Sequence, residues 1–296
     1  MKVTPRKQAL LFVITAFLPI RLILPQTLSG AIDIHAHCDP DGTPRSIDAI
    51  DLARLAKSRG MRAIVLKNHY EPTASLAYIV RKEVPGIEIF GGISLDLTNG
   101  GVNPAAVEWM TKVKGGYGRV VWMPTFDSEH NAAPEHRPFV RVAKDGQLVP
   151  EVVQVIGIIA KHNLVLETGH SSPEEALLLI REGKRQGVQN IVVTHAINRL
   201  VGMSIPQMRE AAKLGAYLEF VYVKPGSEEA KAHVNAIRAI GPDYCILSSD
   251  LGQANNPLHP DGLLAFYQYL AQAGLTQAEI DRMAKVNPAK VLGLAP

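Results

Sequence analysis

Ten histidines stand at positions 35, 37, 69, 130, 136, 162, 170, 195, 233 and 259. Five of them, His35, His37, His69, His170 and His195, each fall at the end of a short β-rich run, and Asp250 ends another. His35 and His37 are two residues apart, so on a strand both side chains leave the same face. Lys67 and His69 repeat that spacing. Neutral imidazoles and a carboxylate converging from several strands are the donor set of a divalent transition metal. A lone histidine is more often a core or surface residue, and a lone His-x-His motif is a weak signal. Four such positions brought to one rim are not independent accidents.

The elements that would bring them there alternate along the chain. Strand candidates cover residues 32–37, 63–69, 87–95, 120–125, 164–170, 191–196, 216–223 and 245–250. Helical patterns fall between and after them, at 47–58, 74–83, 104–113, 150–161, 173–186, 206–214, 228–240, 263–272 and 276–285. Several open with proline behind a polar cap, as in Asn103-Pro104 and Ser172-Pro173. Eight βα units are the arithmetic of an α/β fold of the (β/α)8 TIM-barrel type, whose active sites occupy the C-terminal ends of the strands. An open doubly wound sheet is the competing fold. No G-x-G-x-x-G follows the first strand, which disfavours a dinucleotide fold. The connection after the fourth strand, 126–149, carries an Asp145-Gly146 turn between two short β-rich runs. A hairpin there would stand as an insertion over the C-terminal face, or would be a decorative loop. His130 and Arg137 within it, and His69, are the candidates for substrate contact. The basic side chains at this rim point to an anionic small molecule.

Ile32-Asp33-Ile34-His35-Ala36-His37 resembles the first-strand signature of the amidohydrolase superfamily of metal-dependent barrel enzymes. His170, His195 and Asp250 stand where that family has its later ligands. The segment Val286-Asn287-Pro288-Ala289-Lys290-Val291-Leu292-Gly293-Leu294 is similar to the family's C-terminal helix. The resemblance covers residues 31–296, and its closest likeness is to an exported branch with no named substrate. It implies His35, His37, His170, His195 and Asp250 as ligands of one or two divalent ions, zinc in the first instance, with Asp250 also carrying protons. Binuclear members often bridge their metals with a carboxylated lysine on the fourth strand, but Val120-Val121-Trp122-Met123-Pro124-Thr125 has none. Lys67 could take that role, or could be an ordinary barrel-lining cation, since an unmodified ammonium has no lone pair to give a metal. Hydrolysis at an amide, cyclic amide, lactone or ester is the implied activity. A mononuclear lyase such as a decarboxylase is the alternative, and a non-catalytic exported metal-binding protein a third.

Other residues are set aside. Glu167 lies three positions from His170, so a regular strand puts the two on opposite faces unless Gly169 marks a bulge. His162 ends a helix, where a cation is favourable, and His233 on an outer helix is expected to be solvated. Cys38 and Cys245 would sit on neighbouring strands at opposite ends, separated by about five residues at ~3.3 Å each. That exceeds the ~7 Å disulfide limit, and free thiols are expected.

Composition agrees with one large globular domain. The 296 residues are 47% hydrophobic and 20% charged, with a net charge of +3. Lys2, Arg6, Lys7 and Arg21 stand without an acid before residue 33, so the remainder carries −1. Three of those cations precede the apolar run 9–20, the layout of a signal peptide or N-terminal anchor over residues 1–30, with a packed helix as the alternative. The enzyme would then span 31–296 and be exported. No basic stripe interleaved with aromatics follows residue 32, so no nucleic-acid partner is expected. A homo-oligomer is compatible with the sequence.

Overall fold

The β-branched runs of the chain pair into one eight-stranded parallel sheet. In the computed structural model, which describes Met1 and residues 26–295, its strands are β1 (Ile32–His37), β2 (Ala63–Lys67), β3 (Glu88–Ser94), β4 (Gly118–Trp122), β7 (Val165–Glu167), β8 (Asn190–Val193), β9 (Tyr217–Val221) and β10 (Cys245–Ser248). The predicted segment 1–30 lies almost wholly outside the described residues. The sheet closes where the chain leaves β10: Asp250 N–H donates to the His35 carbonyl at 2.8 Å, and His37 N–H to that of Leu251 at 2.9 Å. This is the (β/α)8 barrel that the eight repeats imply, in the strand order of the sequence. No helix among the described residues is long and apolar enough to cross a membrane.

Two apolar layers result from the pleat. Ile32, Ile34, Ala63, Val65, Phe90, Val120, Val165, Val192 and Ile246 fill the barrel interior, closed below by Ala289, Val291 and Leu292. Their alternates, among them Ile64, Leu66, Ile89, Val121, Leu166 and Leu247, meet the surrounding helices. These are α1 (Ala49–Ser58), α2 (Ala74–Glu83), α3 (Pro104–Thr111), α5 (Pro150–Lys161), α6 (Pro173–Arg185), α7 (Ile205–Lys213), α8 (Glu228–Ile240) and α9 (His259–Gln272), with short α10 (Gln277–Asp281) and α11 (Asn287–Val291) after them. Helix starts follow the sequence signals. Ser172 accepts from the Glu175 N–H and Glu175 answers at the Ser172 N–H, a capping box ahead of a helix that buries Ala176, Leu179 and Ile180.

β1 is not regular, and the irregularity sets the site. Its register against β2 shifts between Asp33 and Ala36. Ile32 and Ile34 therefore face inward while Ala36 packs outward. That bulge turns His35 and His37 together into the mouth. The Asp33 carboxylate holds it, accepting from the N–H groups of His35 at 3.1 Å and Ser249 at 3.0 Å.

The connection after β4 forms α4 (Glu129–Ala132) and a two-stranded antiparallel ribbon, β5 (Ala143–Lys144) and β6 (Gln147–Leu148). Asp145 and Gly146 take positive φ of 51° and 75°, the pattern of a tight hairpin turn. Both thiols are free and buried, as the barrel geometry requires.

The reading of His233 as solvated is corrected. Its ring lies on the inner face of α8 between Phe220 and Phe266, 1% exposed, with Nδ1 donating to the Glu229 carbonyl at 2.8 Å. Burial lowers its pKa. The unfolded chain therefore takes up a proton near pH 6.5 that the folded one resists, so stability falls as pH drops through that region. The slope is at most about 1.4 kcal/mol per pH unit. Urea midpoints measured from pH 7.5 to 5.5 should fall less for His233→Gln than for the parent, and equal slopes would refute the assignment.

Candidate metal centre

Above the apolar plug the barrel interior turns polar. Lys67 continues the inward row of β2, Glu167 that of β7 and Glu219 that of β9; all three are buried, and Lys67 and His35 lie against Trp122. Lys67 Nζ stands 2.9 Å from His35 Nε2, a single proton between two basic nitrogens. On the other side of the ring, His35 Nδ1 lies 3.1 and 3.3 Å from the two Glu219 oxygens. The Thr194 hydroxyl donates to Glu167 at 2.9 Å.

The next level is a ring of imidazoles at the C-terminal ends of the strands. His35 Nε2 and His37 Nε2 approach one oxygen of Asp250 at 3.1 and 3.2 Å, and His170 Nε2 meets His195 Nε2 at 3.2 Å. The rings chain together, His35 to His195 at 5.9 Å between centroids and His170 to His195 at 4.9 Å. His69, Lys67's neighbour in the motif, stacks on His37 at 4.8 Å. Asp250 alone is open to solvent, with 24% of its side chain exposed.

Most of these residues stand beyond the strands proper. β2, β7, β8 and β10 end two or three residues before His69, His170, His195 and Asp250. His195 and Asp250 hold positive φ of 25° and 49°, strained for side chains with a Cβ and typical of functional turns.

The donor set fits a divalent metal. Ligands ~2.0–2.1 Å from one zinc stand about 3.3 Å apart, the separation of the His35–Asp250 and His37–Asp250 pairs, whose three residues form one ligand group, while His170 and His195 meet each other at a similar distance beside it. Nδ1 of His37, His170 and His195 is buried without a hydrogen-bond partner, and Nε2 is the end that faces Asp250 or the neighbouring imidazole. Burial keeps these rings neutral: it pushes His37 down to about 3 and His195 to about 4, and takes His170 well below the usual imidazole range. At His35, burial and Lys67 push down but Asp250 and Glu219 outweigh them, and the ring rises to about 10. Burial opposes charge on Asp250 too, yet His35 and His37 hold its carboxyl well below the carboxylate range.

Glu167 corrects the sequence reading. It was set aside as facing away from His170, but β7 stops at Glu167 itself. Gly169 then turns at φ 60°, with the Met123 and Pro124 carbonyls so close that no Cβ would fit. Strand parity does not extend to His170, and both residues face the interior. Burial, then the charge of Glu219, push Glu167 up to about 8. Glu219 was missed altogether. The signal was present, an acid in the otherwise apolar run Tyr217-Leu218-Glu219-Phe220-Val221.

The three candidates for substrate contact separate. His69 is on the rim, packed on Phe126 at 4.5 Å, with Nδ1 2.7 Å from Thr125 Oγ1. Thr125 spends its one proton on Asp96, so His69 donates through Nδ1 and keeps an Nε2 lone pair. Arg137 is occupied at Glu135, Asp127 and the carbonyl of Phe126, whose ring packs on His69. His130 lines a surface groove between the hairpin and α6, with Ala143, Asp145 and Glu174. A polar cleft of ≈ 480 Å³ opens directly beside Asp250, lined by Asn198, Tyr222, Lys224, Gln253 and Asn256. A larger apolar groove of ≈ 550 Å³ lies at the other end of the barrel, beside Val286 and Ala289, away from this chemistry.

Comparison with known families bears on this geometry. A model described as a family of unknown function (DUF6282) matches residues 30–219, 190 of the 296 residues. The chain belongs to DUF6282. The DUF6282 match takes in His35, His37, Lys67, His170, His195 and Glu219 and stops short of Asp250. No curated protein matches the chain. Among solved structures, an amidohydrolase from Pseudomonas aeruginosa superposes with a TM-score of 0.64 at 12% identity, covering 89% of this chain and 95% of its own. A 2,6-dihydroxybenzoate decarboxylase bound to 2,6-dihydroxybenzoate gives 0.60 at 12% identity, over 90% and 100%. An amidohydrolase from Burkholderia multivorans with bound zinc gives 0.60 at 12%, over 90% and 99%. These structural neighbours are members of the amidohydrolase superfamily, and what this DUF6282 chain shares with them is the fold.

Proposed function

We propose that this DUF6282 protein is a metal-dependent hydrolase that cleaves a carbonyl-centred bond, an amide, cyclic amide, lactone or ester, in a small polar molecule. The observation that carries the reading is the convergence of His35 and His37 Nε2 on one Asp250 oxygen, with the His170–His195 pair beside it. A bound divalent ion, zinc in the first instance, would supply a Lewis acid that polarises the carbonyl oxygen and acidifies water. His35, His37, His170, His195 and Asp250 hold it. Asp250, ionised at neutral pH, takes a proton from the attacking water at its carboxylate and returns one to the leaving group. The amides of Asn198, Gln253 and Asn256 orient polar groups of the substrate in the adjoining cleft, and Lys224 favours an anionic one. Lys67 serves as an ammonium: carboxylating it would add a negative charge beside Glu167, Glu219 and Asp250.

A mononuclear lyase is the second reading, favoured by Asp250, Glu167 and Glu219 around Lys67, acids that oppose a further negative charge on its amine. One experiment separates them. Stripping the protein with a chelator and restoring zinc should abolish and return hydrolysis on a panel of amides, lactones and esters, with about one ion bound. Release of carbon dioxide from aromatic carboxylates without hydrolysis would move the assignment to the lyase. Absence of zinc binding would overturn both.

A further inference from the structure

Glu219 sits at mid-barrel, fully buried, where a carboxylate survives only if its oxygens are satisfied. Its partners belong to two different elements. Both oxygens face His35 Nδ1, at 3.1 and 3.3 Å, and Oε2 also accepts from the His195 backbone N–H at 3.0 Å. A carboxylate in that place only accepts, so Nδ1 of His35 carries a proton whether or not Nε2 does, and it is Nε2, facing Asp250 at 3.1 Å, that is left to give up its proton to a metal. At His195 the same carboxylate fastens the amide of a residue held at φ 25°, the turn that aims its Nε2 at His170. Two histidines, one on β1 and one just past β8, are thus fixed by one side chain of β9, one through its Nδ1–H and the other through its backbone.

We infer that Glu219 is a positioning residue that tightens metal binding by presenting His35 and His195 together. The inference rests on the metal-centre reading above. Replacement by glutamine keeps the volume but offers one acceptor in place of two, and a donor where His35 Nδ1–H needs an acceptor. Partners of metal-ligating histidines are worth roughly 10–100-fold in affinity, so the zinc Kd of Glu219→Gln, read by chelator competition on the full chain, should weaken by about that factor. A purely structural role would lower Tm and leave the Kd of the folded protein unchanged, and that result would overturn the inference. A second measurement needs no variant. Nitrogen chemical shifts of zinc-loaded ¹⁵N-histidine-labelled protein, with His35 assigned by the loss of its signal in His35→Asn, should show the proton of His35 on Nδ1. The Nε2-protonated form would overturn the inference even where Glu219→Gln fails to fold. Failure of the unsubstituted chain to bind zinc overturns the proposed function and this role with it. Zinc binding that Glu219→Gln leaves unchanged overturns this role alone.

Discussion

Asp250→Asn should bind its metal and lose turnover by about 10²–10⁴-fold, the contribution typical of a positioned general acid–base. The substitution conserves shape and leaves the four imidazoles in place, so zinc retained per chain should stay near that of the parent. What it removes is the charge. On the proposed function, the carboxylate whose oxygen now faces His35 and His37 Nε2 at 3.1 and 3.2 Å would take a proton from the attacking water. An amide oxygen has no comparable basicity. The loss should fall on kcat, because the other side chains lining the proposed substrate cleft, among them Asn198, Lys224 and Gln253, stay in place. Zinc content by metal analysis, with kcat and KM on whichever panel substrate proves active, checks both halves. Full turnover in a zinc-loaded variant would remove Asp250 from the proton path. Loss of zinc would instead make it chiefly a ligand.

What the sequence revealed of this site is what is encoded locally. The βα rhythm and the two-residue spacing of His35 and His37 are properties of short segments, and they led to the barrel and to the imidazole ring. Glu167 was lost because parity was carried through to His170, past a strand end created by Gly169 and the backbone of Met123 and Pro124, some 45 residues earlier in the chain. The bulge in β1 was invisible for a similar reason, since the Ser249 N–H that shares the Asp33 carboxylate is 216 residues away. Glu219 meets His35 across 184 residues. His233 was placed in solvent because helix periodicity alone does not say that Phe220 and Phe266 close over that face of α8. The ligand types could be read from the residues. The charges beneath them could be found only once the strands were wrapped into a closed ring.

That buried charge makes Lys67 the other position of large expected effect. Among the described residues it is the only lysine or arginine that is buried. Burial lowers its pKa, while Asp250, Glu167, Glu219 and Asp96 together favour its charge. Lys67→Met keeps the length of the stem but removes the cation, and with it the Nζ contact over the Trp122 ring, leaving the carboxylates with His35 as their remaining cationic partner. Breaking a buried charge pair from one side costs about 3–5 kcal/mol, and the metal-free variant should lose stability on that scale in urea. At pH 9, above the titration of Glu167 near 8, adding Glu167→Gln should return part of the loss, because it removes an acid that Lys67 no longer helps to ionise. A double-mutant cycle should then show coupling of about 0.5–3 kcal/mol, as for residues in one network. Strict additivity would place the two in separate environments. The same variant decides the state of the lysine. An ammonium that only balances charge leaves the number of zinc ions per chain unchanged when it is replaced, and zinc, itself a cation, should restore stability to Lys67→Met more than to the parent. A carboxylated Lys67 bridging two ions would instead take one ion away with it.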